Sequence, residues 1–291
     1  MKKAFLVLLI SGLCALSTPG QESGNRNYNR NNDNRKPPVT GGVWSGSGDM
    51  VIEAYVLLNV APDEFIAVFG ASQVAATAVE SNSGVNAQIE QFIASAERLG
   101  VSRGNIFVDF ITQNRVYNYS TAPDSTIIEK LVGFETKKTI AVRYRDRALF
   151  EKLLTAASQA SIYDLIKVDY VVNDMVKIRS RLFEEAVRVV KQKEENYTRS
   201  LGMAIRRVGL QQETYDTKYP AELYQTYTAY ESGAVDRSYD TRTRVISERK
   251  SSTSYLEPLD RSVFDSVLNS IGIEPMVQST LYMRVLYSVA R

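Results

Sequence analysis

The chain contains no histidine, and its single cysteine, Cys14, stands among the first twenty residues. Imidazole bases and the usual zinc ligand sets are therefore missing, and a thiol nucleophile has only that one N-terminal position. No Walker-type loop and no glycine fingerprint joins a strand to a helix, so nucleotide binding has no support. Carboxylates remain. Asp164 with Asp169, and Glu184 with Glu185, are the pairs that glycoside hydrolysis or magnesium chemistry would use. The second pair falls on a charged helix face, and neither is expected to be catalytic. Arg242, Arg244, Arg249 and Lys250 stand near aromatics as in single-strand nucleic-acid binders, but acidic neighbours argue against that use. The expectation is a non-enzyme that holds no cofactor and no metal and binds no nucleic acid.

Two sets of residues could instead form a contact surface. Tyr224, Tyr227 and Tyr230 lie in a tyrosine-rich stretch among Thr, Ser, Arg and Asp. Tyrosine offers contact area at low entropy cost together with a hydroxyl, although its edges also serve to pack loops. Arg188, Lys191 and Glu195 belong to a densely charged helix. One reading makes that face solvated, with ion pairs at helical spacing, and the sharper one makes it a surface for a partner or a second copy.

The elements that must position these residues centre on Val132 to Gly202. Val132, Phe134, Ile140, Val142 and Tyr144 share one parity, which predicts a strand with one buried face. Asp146 then caps a helix striped by Leu149, Phe150, Leu153, Leu154 and Ala157. Ile162 to Val172 reads as a strand near the sheet centre, because both of its faces look partly apolar. Asn173 or Asp174 caps a helix ending at Gly202, which at about 1.5 Å per residue would span roughly 40 Å.

Elsewhere, Lys2, Lys3 and the apolar run from Ala4 to Leu16 before Ser17–Gly20 have the layout of a secretory signal peptide over residues 1–20. Leu13 stands where a lipoprotein signal would carry a small residue, so no lipid anchor is expected on Cys14. After cleavage no thiol would remain for a disulfide, and stability would rest on the core. Without Lys2 and Lys3 the 35 basic residues fall to 33 against 33 acidic ones, leaving no general attraction for anionic partners. Residues 21–48, rich in Asn and Arg, read as a disordered tether, and residues 49–291 as one domain.

Within that domain, Met50–Val60 and Phe65–Val74 read as a hairpin about Pro62-Asp63. A first helix has Thr77 and Glu80 at capping-box spacing and ends at Gly100. Asn105–Tyr119 and Ala204–Tyr215 read as strands, and Arg261–Ile271 as a short helix. Val277 to Val289 alternates most regularly of all, so the two ends of the domain should meet in one sheet. The fold class is α+β: an antiparallel sheet covered by helices, one of them long and charged, with a tyrosine-rich insertion at about 216–270 before the C-terminal strand. No stretch after the first twenty residues approaches the apolar length needed to cross a bilayer.

Several features in order resemble the SIMPL-domain family of bacterial envelope proteins. They are Ala61-Pro62-Asp63, Leu99-Gly100-Val101 followed by Asn105-Ile106, Tyr117-x-Tyr119, and Gly133-Phe134 leading into Ile140-Ala141-Val142-Arg143. Leu182-Phe183-x-x-Ala186-Val187, Leu201-Gly202 and the Leu281–Val289 strand complete the set. The resemblance spans about Asp49 to Arg291, interrupted by the insertion. It departs at Glu194 and Thr198, where the family carries small residues on the long helix. It implies an α+β fold, export to the periplasm or outer membrane, ring-like oligomers and no catalytic residues. A homo-oligomer or an envelope-assembly subunit is therefore expected, with peripheral outer-membrane contact left open; a periplasmic binder of a small molecule, glycan or peptide through the tyrosines is the alternative.

Overall fold

The computed structural model describes residues 42–45, 48–228, 252–270 and 273–289. The signal segment, Cys14, most of the tether, Tyr230 and the basic residues 242–250 lie outside the described residues. The chain runs β1 (Gly42–Ser45), β2 (Asp49–Val60), β3 (Glu64–Ala75), α1 (Ala78–Arg98), β4 (Ile106–Thr121), β5 (Ile127–Tyr144) and α2 (Leu149–Gln159). It continues through β6 (Asp164–Val171), α3 (Met175–Leu201), β7 (Ile205–Lys218), the short α4 (Pro220–Leu223), β8 (Tyr224–Thr228) and β9 (Ser252–Leu256). The described chain closes with β10 (Ser266–Leu268) and β11 (Val277–Val289). The class is α+β, but the strands divide between two main sheets rather than one.

In the first sheet the order is β4-β5-β3-β6, all antiparallel. Its inner face, carrying Phe65, Ala67, Phe69, Ile140 and Val142, packs against Val85, Ile89 and Phe92 of α1 and Leu153 and Ala157 of α2. The Thr77 hydroxyl accepts from the Glu80 amide and the Glu80 carboxylate accepts from the Thr77 amide, the capping box expected for α1. Asp146 does not cap α2 as expected: the cap position is Ala148, which has no side-chain oxygen to offer, and Asp146 accepts from the Ala148 amide in the turn before it.

The second sheet runs β1-β2-β11-β7, with β10 added parallel to β2. Met50, Ile52, Ala54, Val56 and Leu58 of β2 join Leu281, Met283 and Tyr287 of β11 in a core under Leu182, Ala186 and Val190 of α3. The two ends of the domain meet as expected, because Val277–Ser288 pairs residue by residue with Val60–Asp49. β1 lies inside the stretch read as tether and pairs with β2 from Gly42↔Ile52 to Ser45↔Asp49.

Three further expectations are overturned. β2 and β3 form no hairpin: Asp63 turns the chain away, its amide donating to the Val171 carbonyl and its carboxylate accepting from the Asn173 amide. Each strand then finds partners in a different sheet. The buried residues of β2 run on both parities, the mark of a strand covered on two sides rather than of a one-faced hairpin arm. β6 is an edge strand, exposed over its first half, with β3 alone beside it among the described strands instead of a place at the sheet centre. Of the segment read as a short helix, residues 261–270 form a single 3-10 turn and β10; the Asp265 amide donates to the Tyr55 carbonyl and its carboxylate accepts from the Tyr55 amide, laying this segment along β2.

Candidate interaction surface

α3 positions the charged candidates. Asp174 caps it by accepting from the Lys177 amide at 2.9 Å, and Gly202 ends it in the left-handed region at φ 64°. Ile178, Leu182, Ala186, Val189 and Val190 face the sheet, while Arg188, Lys191 and Glu195, spaced three and four residues apart, are exposed on the far side. The Arg188 guanidinium donates to both Glu185 oxygens, at 2.6 and 2.8 Å, and to Gln192. Glu185 also accepts from the Ser266 hydroxyl, and the Arg188 hydrogen bonds hold its carboxyl below the ordinary range. Glu195 meets Arg199 at 3.8 Å.

Not all of the charge on α3 is solvated. The Lys193 ammonium donates to the Glu53 carbonyl at 2.8 Å and lies 2.5 Å from the Asp265 carboxylate, bridging β2 and the segment before β10. Glu194, which departs from the small residue of the resemblance, accepts from the buried Tyr287 hydroxyl at 2.9 Å and from Arg207 at 2.6 Å. Arg207 also donates to that hydroxyl at 3.2 Å, closing a triangle between α3, β7 and β11. Burial pushes the Tyr287 phenol up to about 12, so it remains a donor throughout the neutral range. The helix therefore packs closely in spite of the larger residue.

Tyr224 and Tyr227 lie on β8, which among the described residues pairs with β9 in a two-stranded ribbon. Tyr224 is 43% exposed and its hydroxyl neighbours that of Tyr170 on β6; Tyr227 is half-buried. Among the described residues no hydrogen bond, ion pair or ring contact joins these tyrosines to Arg188, Lys191 or Glu195. The two sets thus belong to different regions: the tyrosines beside the first sheet, the charges over the second. Of the carboxylate pairs, Asp169 meets Lys167 at 2.8 Å on the exposed β6, and Glu185 is held as described above. Neither pair lines the cavity of about 460 Å³ where Glu64 faces Arg143 at 3.7 Å and Arg145 at 2.9 Å.

Among the described residues, exposed large apolar side chains are most numerous on β4 and β5, read from the sequence as strands over Asn105–Tyr119 and Val132–Tyr144; Val132, expected on the buried face, is 48% exposed because the strand there runs beyond β3 and the helices. β3 pairs with β5 only as far as Phe134, so the outer parts of β4 and β5 continue as a two-stranded arm. Gly133 marks the departure: a Cβ there would stand 2.5 Å from the Ala75 carbonyl oxygen at the end of β3. Phe107, Phe110, Ile111, Tyr117 and Tyr119 of β4 are exposed, Phe107 by 67% and Tyr119 by 65%. Ile127, Ile128, Leu131 and Val132 of β5 are exposed as well, Ile127 by 71%. The available signal was apolar residues on both parities without a second covering helix.

These features define an α+β protein with two helix-covered sheets and a projecting apolar arm, whose candidate site is a surface rather than a pocket. The family model SIMPL, described as a protein of unknown function (DUF541), matches residues 52–254. The chain belongs to this family. The matched span covers more than half of the chain and ends within β9, short of the β11 strand that the resemblance had included. No curated protein matches the chain.

Proposed function

We propose that the protein is a non-enzymatic, exported component of the bacterial cell envelope that works by self-association, alone or as a subunit of a periplasmic or outer-membrane assembly. The observation that carries this reading is the run of exposed large apolar side chains along β4 and β5. Isolated apolar residues are normal on a surface, but groups of exposed Phe, Tyr, Ile and Leu on adjacent strands, here Phe107, Phe110 and Ile111 in the body of the sheet and Tyr117, Tyr119, Ile127, Ile128 and Leu131 in the arm, are what a protein interface buries. Membership of the SIMPL family and the signal-like first twenty residues are consistent with an envelope role. Among the described residues no helix is long and apolar enough to cross a membrane. Light scattering on the purified chain, joined to affinity capture from solubilised envelopes, tests the reading. A concentration-dependent mass above the monomer supports it, and a monomer that recovers no envelope partner contradicts it.

A further inference from the structure

The sheet edges of this molecule are not alike. β6 has eight residues and carries Asp164, Lys167 and Asp169. β7 is longer, but two register shifts bend it, and Arg206, Arg207, Glu213, Asp216 and Lys218 line it. β1 and β10 have four and three residues. Short length, bulges and charge are the devices that keep an edge from pairing with another chain. β4 has sixteen residues, its only charges are Asp109 and Arg115, and among the described strands it forms the outer edge of the first sheet.

The β4–β5 ladder shifts register twice: β4 carries the extra residue where its pairing steps from Phe110↔Lys138 to Thr112↔Lys137, and β5 carries it, at Val132, where Val116↔Gly133 steps to Tyr117↔Leu131, so β4 itself has one bulge. The alternation of its side chains therefore reverses at Ile111. Opposite Val142, Ile140 and Lys138, on the helix-covered side, stand Ile106, Val108 and Phe110; after the bulge that side passes to Gln113, Arg115 and Tyr117. The other side carries Phe107 and Asp109 before the bulge, and Thr112, Asn114 and Val116 after it. Residues opposite one another in an antiparallel pair share a face. A foreign strand would have to match an alternation that reverses midway. A second β4 reverses at the same point.

We infer that β4 pairs antiparallel with β4 of a second copy of this chain, about a two-fold axis at Ile111–Thr112. In this register every residue before the bulge meets one after it on the same face: Ile106 meets Tyr117, Phe107 meets Val116, and Asp109 meets Asn114. Val108 meets Arg115 and Phe110 meets Gln113, so neither charge meets its like, and each pair occurs twice. The two first sheets become one continuous sheet, and exposed apolar residues on β4 gain cross-strand partners. This pairing rests on the self-association reading and specifies its interface.

Two double variants of the full chain, compared with the unchanged chain by sedimentation velocity over a concentration series, test it. Phe107→Lys with Val116→Lys sets lysine opposite lysine twice and should weaken association by about tenfold or more. Phe107→Glu with Val116→Lys changes the same positions but sets glutamate opposite lysine twice, and should associate within about threefold of the unchanged chain. Equal behaviour of the two variants overturns the pairing while leaving self-association in place, provided the unchanged chain associates. An unchanged chain that stays monomeric at every concentration overturns both.

Discussion

Glu194 stands where the resemblance led to a small residue, and two donors, the Tyr287 hydroxyl and the Arg207 guanidinium, converge on its carboxylate. Removing the carboxylate leaves the fully buried Tyr287 hydroxyl and the Arg207 guanidinium without their shared acceptor. Glu194→Ala should therefore lower unfolding stability by about 2 kcal/mol, and Tyr287→Phe by about 1 kcal/mol. The double variant should lose less than the sum, because each single change already breaks the triangle. Additive losses in denaturant titration would show that the three groups act separately. Glu185 carries a pH dependence. Its hydrogen bonds from Arg188 hold the folded carboxyl below the unfolded value of about 4.3, so its stabilisation is complete above that value and fades as pH falls through the folded one. Glu185→Gln should cost about 1 kcal/mol at pH 7, a figure kept small because Arg188 is largely exposed. The gap from the unchanged chain should close on acidification below about pH 4; a gap of constant size would remove Glu185 as its source.

At the scale of elements, what could be read from the sequence was whatever local chemistry decides. Thr77 and Glu80 give the start of α1, Asp174 and Gly202 the two ends of α3, and the alternation of Val277–Val289 gives β11, because caps and period-two patterns act over a few residues. Pairing is decided elsewhere. β2 and β3 look like a hairpin until Asp63 is seen to bind the end of β6, a strand more than one hundred residues away. Arg261–Ile271 has helical spacing, but the main-chain and side-chain bonds of Asp265 to Tyr55 hold it extended along β2. The charged face of α3 was legible as a face, whereas Lys193 and Glu194 could not be told from solvated neighbours until β7, β11 and the segment before β10 came against them. The arm hid for a related reason: apolar residues on both parities of β4 look the same in a doubly covered strand as in an uncovered one. Gly133→Ala tests where the arm leaves the body. The added methyl would press on the Ala75 carbonyl, and the strain should cost about 1–3 kcal/mol, seen as a lower denaturant midpoint with an unchanged slope. No loss would mean that the end of β3 shifts freely at that contact.

For the whole molecule, each sheet has its own helix layer and its own core, and the chain passes between them at Asp63 and again at β6–α3. Those cores account for the buried apolar residues, and they leave the strip on β4 and β5 uncovered. Water meets Phe107, Tyr119 and Ile127 over most of their surface, an arrangement that a second protein surface would relieve. The measurement that bears most directly on the central claim is multi-angle light scattering of the purified full chain across a hundredfold range of concentration. The account predicts a mass that rises from one chain to two or more. A mass of one chain at every concentration would contradict it.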